Sequence, residues 1–199
     1  MLNQNQAKKA INYVRKVLKG TIKNKKIPIE TFPKEFNEHH GVFTTLHTYP
    51  SQKLRGCIGI PEPVMTLKDA LIESAQSVTH DPRFPPLQEN ELDHIIVEIT
   101  ILSKPEPIKQ KKEKVLDEIS VGRDGLIIEH GFFKGLLLPQ VPVEQNWDTK
   151  TFVEHTCLKA GLPPDAWLKE ETIIKKFTGQ IFSEEQPFGQ IKEKTFDEP

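Results

Sequence analysis

The sequence predicts an α+β fold, a largely antiparallel sheet with helices on its faces. Three observations carry this. The periodicities run along the chain as helix, strands, helix, strand, hairpin, helix, strand. Hairpins and sheet edges outnumber the strand–helix–strand crossovers that a parallel sheet requires. One run, Ile95 to Leu102, is apolar on both faces except for Glu98 and Thr100, as a central strand would be.

Each element has a local reason. Ala7, Ala10, Ile11, Val14, Val17 and Leu18 recur at helical spacing, and Gly20 is the expected stop. Residues 21–40 are irregular, broken by Pro28 and Pro33. Val42 to Thr48 is β-branched and aromatic and reads as a strand. Tyr49 to Gln52 is a turn, and Leu54 to Ile60 resumes extended structure until Pro61. Thr66 is a good helix N-cap, with Asp69 in the first turn where an acid is favoured. Leu67, Leu71, Ser74, Ala75 and Val78 make one face of that helix, which the prolines after Asp81 end. Residues 103–118 form a charged, solvated connector. Leu126 to Glu129 and Phe132 to Leu138 flank His130-Gly131 as a hairpin. Asp148 or Thr149 caps a helix carrying Phe152, Val153, Thr156, Cys157 and Ala160. Thr172 to Phe182 alternates as a half-buried strand, and the acidic tail 183–199 is expected to be loosely ordered.

A chain of 199 residues with 36% hydrophobic and 28% charged residues suits one domain, or two sub-lobes, with a core that needs no staples. Two cysteines are too few for a disulfide framework and fit a reducing, cytoplasmic compartment. No apolar run approaches the roughly 20 residues of a membrane span, and no apolar stretch of a secretory signal follows the basic N-terminus. Eight basic residues and no acidic one precede Glu30. Such asymmetry suits nucleic acid, or a basic helix that neutralises an acidic body. The helix has one arginine, one tyrosine as its only aromatic, and a clean apolar stripe, which favours the second reading.

Phosphate-loop, dinucleotide, zincin and nucleophile-elbow motifs are missing, and neither His39-His40 nor His80-Asp81 has metal-ligand spacing. No metal and no cofactor are expected. Three segments depart from what a plain scaffold needs. In Leu54-Arg55-Gly56-Cys57-Ile58-Gly59, two glycines flank a cysteine that follows a cation. Glycine in a strand marks a bulge or a close approach. Cys57 is thus a candidate reactive thiol, or else a small buried hydrophobe with packing glycines. In Asp81-Pro82-Arg83-Phe84, Asp81 can pair Arg83 and leave Phe84 as a core plug, or Arg83 can hold a carboxylate or phosphate. Gln140 follows an apolar strand between prolines, as a buried hydrogen-bonder or ligand contact or as a plain strand end. Glu98 lies among isoleucines and valine and needs a partner, for which Arg55 or Arg83 is the natural candidate.

Together, Leu54 to Gly59, Asp81 to Pro85, Gly135 to Val141 and Lys159 to Leu162 resemble the AMMECR-one domain family. His40 to Leu46 and Val97 to Ile99 also fit its pattern. The Leu-Arg-Gly-Cys-Ile-Gly string is the family hallmark and is intact. The resemblance spans nearly the whole chain and implies two lobes with a groove between them near that string. It implies no established activity. Members are sometimes fused to, or encoded beside, a Memo-type dioxygenase-like domain and a radical S-adenosylmethionine enzyme, so the resemblance implies such partners and a modification pathway. The leading expectation is an enzyme or enzyme subunit that binds a small or extended anionic substrate. Cys57 is its thiol, with Arg55, Gly56, Asp81, Arg83, Glu98 and Gln140 around the substrate. The rivals are a non-catalytic interaction module and a nucleic-acid binder using the basic helix.

Overall fold

The structure is a computed structural model and describes residues 2–194. The chain forms two compact units. The first takes the chain through Leu102 and returns from Gln180 onward; the second is Ser103–Gly179.

The first unit opens with α1 (Gln4–Ile22), capped by Asn3, whose side chain accepts from Gln6 N while the Gln6 side chain accepts from Asn3 N. The stripe Ala7, Ala10, Ile11, Val14, Val17 and Leu18 is wholly buried. Strands β1 (Gly41–Thr48) and β2 (Leu54–Ile60) pair antiparallel, and β3 (Ile95–Leu102) pairs antiparallel on the other side of β1. Between β2 and β3 runs α2 (Leu67–Val78), with Thr66 accepting from Asp69 N at its start. Helices α1 and α2 pack with β1 and β3 around a core containing Val42, Leu46, Leu71, Val97 and Ile99.

The second unit begins with the two-residue strand β4 (Glu106–Pro107) and the hairpin β5 (Gly125–His130) and β6 (Phe133–Leu137). Helices α3 (Gln140–Glu144) and α4 (Thr149–Lys159) follow, then β7 (Ile173–Phe177). Its sheet runs β4-β7-β5-β6, antiparallel throughout. Leu126, Ile128 and Ile174 face Phe152, Val153 and Cys157 in its core. Gly135 is required there: a Cβ would stand 2.4 Å from Ala160 N.

The alternating run expected as one strand from Thr172 to Phe182 is two. It breaks at Thr178, which donates through its N–H to Ser103 Oγ and accepts from Ser103 N. The chain then returns to the first unit as β8 (Gly179–Glu184) and β9 (Ile191–Lys194), completing a sheet of order β2-β1-β3-β8-β9. The tail expected to be loose from 183 therefore supplies strand as far as Lys194, with Ser183 and Glu184 buried. Residues 195–199 of that tail lie outside the described residues. Among the described residues no helix is long and apolar enough to cross a membrane.

Candidate functional site

The hallmark string is β2, the edge strand of the five-stranded sheet. An edge strand carries backbone groups that the sheet leaves unpaired. At Cys57 both are taken up by one loop. Asp81 Oδ2 accepts from Cys57 N at 2.8 Å, and Arg83 Nη2 donates to Cys57 O at 2.9 Å. Both groups thus point away from β1, so Cys57 and its register partner Thr45 form a non-hydrogen-bonded pair, the kind whose side chains lie closest. Thr45 Oγ1 donates to Cys57 Sγ at 3.3 Å.

The clamp is itself rigid. Arg83 Nε and Nη2 meet Asp81 Oδ1 and Oδ2 at 3.0 and 2.7 Å, a two-point fork, and Arg83 N adds a third bond to Oδ1. The Asp81 side chain is buried. Hydrogen bonds from the Arg83 guanidinium, helped by the Cys57 and Arg83 amides, outweigh burial and hold its carboxyl well below the usual carboxylate range. Arg83 is raised in return, chiefly by its hydrogen bond to Asp81. Arg55 is committed in the same way, to Glu91 at 2.6 and 3.0 Å and to Pro85 O. The Arg55 hydrogen bonds lower Glu91. The Phe84 ring centre is 6.0 Å from the Arg55 guanidinium and 5.7 Å from that of Arg83, and Phe84 is half-buried. It is not the core plug expected; Leu87, buried among the apolar core residues, fills that role.

Thr45 is opposite Cys57 on one side and Glu98 on the other. Residues in register project to the same face, so Cys57, Thr45 and Glu98 form one row across β2, β1 and β3. His47 is two residues along β1 on that face. Glu98 does not contact an arginine. Its oxygens meet Lys194 Nζ at 3.2 Å and His47 Nε2 at 3.9 Å. Arg55 and Arg83 are already held by Glu91 and Asp81, and β1 stands between β2 and Glu98. Burial pushes the Glu98 carboxyl up, but the His47 ring and the Lys194 ammonium together prevail and it is lowered.

The glycines of the string are structural. A Cβ on Gly59 would stand 2.3 Å from the Phe43 ring and 2.5 Å from Val42 O, and one on Gly56 would press on Val78. Cys157 is fully buried, and burial raises its thiol. Gln140 belongs to the second unit, as the first residue of α3, and its Oε1 is buried without a hydrogen-bond partner among the described residues. Sequence reasoning missed Thr45, His47, Glu91 and Lys194. The alternation of Phe43, Thr45 and His47 against Val42, Thr44 and Leu46 marks the first two; nothing local marks the others.

Lys9, Arg15 and Lys16 of α1 and its C-cap Lys23 are engaged with the body. Lys16 pairs Glu30, Lys23 pairs Glu89, and Lys9 sits by the Phe32 ring. Arg15 is buried, donating to both oxygens of Glu184 and to Leu92 O and Ile95 O.

A family model described as AMMECR1 matches residues 11–182. The chain belongs to the AMMECR1 family. It is 56% identical over 187 residues to Protein MJ0810 of Methanocaldococcus jannaschii, covering 93% of each chain. It is 51% identical over 171 residues to Protein PH0010 of Pyrococcus horikoshii, covering 84% of this chain and 83% of that one. The crystal structure of the uncharacterized protein PH0010 matches with a TM-score of 0.85 and 44% identity over 98% of both chains. The AMMECR1 match includes Cys57, Asp81, Arg83 and Glu98. It stops before Glu184, Phe188 and Lys194.

Proposed function

We propose that this AMMECR1 chain is a thiol-dependent enzyme or enzyme subunit of the cytoplasm, with Cys57 as the group that meets the substrate. One observation carries this reading: the Cys57 sulfur accepts a hydroxyl hydrogen bond from Thr45 on a polar sheet face while its own peptide is gripped on both sides. Cys157, by contrast, is fully buried, while Cys57 is partly exposed on that face. Preorganised positioning is what a nucleophile requires. In this reading Asp81 and Arg83 are positioning residues. His47, two residues from Thr45 and beside Glu98, is the proton acceptor available on the face. Lys194 and the outer edge of Arg83, whose side chain is 55% exposed, meet an anionic substrate.

Native-state alkylation tests the proposal. With iodoacetamide, Cys57 should label about tenfold or more faster than buried Cys157, read by peptide mass spectrometry, and Cys57→Ser should remove the fast phase. Iodoacetate, carrying a negative charge, should gain on iodoacetamide at Cys57 relative to a free cysteine. Equal, slow labelling of both cysteines would return Cys57 to packing.

A non-catalytic interaction module is favoured by one separate feature. Phe132 is fully exposed at the β5–β6 turn and Phe133 is half-exposed beside it. If Phe132→Ser abolished a cellular phenotype that Cys57→Ser preserved, this second reading would replace the first. The nucleic-acid reading is disfavoured by Lys9, Arg15, Lys16 and the C-cap Lys23 being already held by the body of the first unit.

A further inference from the structure

We infer that a cavity at the Arg15 face of α1, remote in sequence from the hallmark string, is a binding site for a small zwitterion, an α-amino acid or a molecule with the same spacing of carboxylate and ammonium. The cavity holds about 130 Å³ and is lined by Arg15, Lys19, Glu89, Leu92, Asp93 and Phe188. An engineered cavity of about 150 Å³ takes up benzene, so this one has room for a few heavy atoms.

Its floor is the Arg15 guanidinium, 8% exposed as a residue. A guanidinium has five N–H groups. Four are spent, on the two Glu184 oxygens, Leu92 O and Ile95 O, and one on Nη1 is left over. The wall is Phe188, its ring 4.1 Å from the guanidinium carbon. Phe188 holds φ +58°. It occupies the third position of a turn in which Pro187 is second and Gly189 N donates to Gln186 O. That position, with positive φ after proline, normally takes glycine. Here the glycine comes one residue later and a bulky aromatic bears the strain. Burial does not account for this, because Phe188 is 62% exposed; what the ring gains is its stack on the Arg15 guanidinium at the cavity's edge. A strained, exposed ring closing one side of a cavity is the kind of feature that accompanies ligand clamps.

The charges define the ligand. Arg15 is balanced by Glu184, and Glu89 by Lys23. Lys19 and Asp93 line the same cavity, and among the described residues neither has an ion-pair partner. A carboxylate between Lys19 and the spare Arg15 N–H, with an ammonium toward Asp93, satisfies all three at once. A simple anion or a simple cation satisfies only one side.

Calorimetric titration of the full chain with glycine, L-alanine, acetate and methylammonium tests the assignment. Glycine and alanine should saturate with a Kd of about 1 mM or tighter, and the two single-charge probes should bind about tenfold more weakly or worse. Lys19→Met and Asp93→Asn should each weaken glycine by about tenfold without moving the thermal midpoint, since both side chains are exposed. Phe188→Gly relieves the turn, so it should hold or raise the midpoint while weakening glycine. Absence of saturable amino-acid binding, acetate binding as tight as glycine, or variants that all bind like the parent would each overturn the proposal.

Discussion

Asp81→Asn is the substitution that most directly questions the clamp on β2. It preserves size and replaces one carboxylate oxygen by an NH₂ group. Oδ1 accepts from Arg83 N and Nε at 3.1 and 3.0 Å; Oδ2 accepts from Cys57 N and Arg83 Nη2 at 2.8 and 2.7 Å. Whichever way the amide turns, two fixed donors then face another donor. Hydrogen bonds to a charged group contribute about 1.5–3 kcal/mol each. Arg83 is more than half exposed, so water recovers and screens part of its share. The net loss should be about 2–3 kcal/mol. Urea unfolding at neutral pH should show it as a lower midpoint with an unchanged slope. The acid limb should change as well. Asp81 is lowered in the folded chain, so its contribution is complete above its unfolded value near 3.9 and is lost as pH falls through the folded value. Asp81→Asn should flatten stability against pH below about 4. In a cycle with Arg83→Met, the double variant should lose less than the sum of the singles by about 1 kcal/mol or more. A midpoint and an acid limb like the parent's would refute the idea that this pair secures the edge at Cys57.

Three further outcomes follow from the same geometry. Arg15→Met strands Glu184 in the core and should cost about 3–5 kcal/mol in urea unfolding. Glu98→Gln should cost only about 1 kcal/mol, because Lys194 is about a third exposed and can turn to water. The Glu98 contribution, from a lowered carboxyl, is present above about pH 4.3 and lost as pH falls, so the two curves should converge in acid. Gly59→Ala drives a Cβ into the Phe43 ring and Val42 O and should cost about 2 kcal/mol or more, read as a drop in thermal midpoint.

What the sequence conveyed about this chain depended on distance along it. The stripe of α1, the Thr66 cap, the buried face of α2 and the β5–β6 hairpin are set by residues within a few positions, and the structure repeats them. The break at Thr178 is not local. Thr172 to Phe182 reads as one strand from its own residues, yet Thr178 within it bonds to Ser103, 75 residues away, at the point where the run passes from one sheet to the other. The candidate site divides along the same line. That Asp81 would pair Arg83, two residues on, was legible. That this pair would grip both backbone groups of Cys57 was not, because it needs β2 at the edge of the sheet. Glu98 shows the limit most sharply. Its composition of neighbours required a cation, and β2 offered Arg55. The sheet order β2-β1-β3 places a whole strand between them, and Arg55 instead meets Glu91, which the segment preceding β3 carries back toward β2. The cation that arrives at Glu98 is Lys194, on a strand reached only after the chain has left the first unit and returned. A buried charge therefore announces in sequence that it has a partner, while strand order alone decides which one.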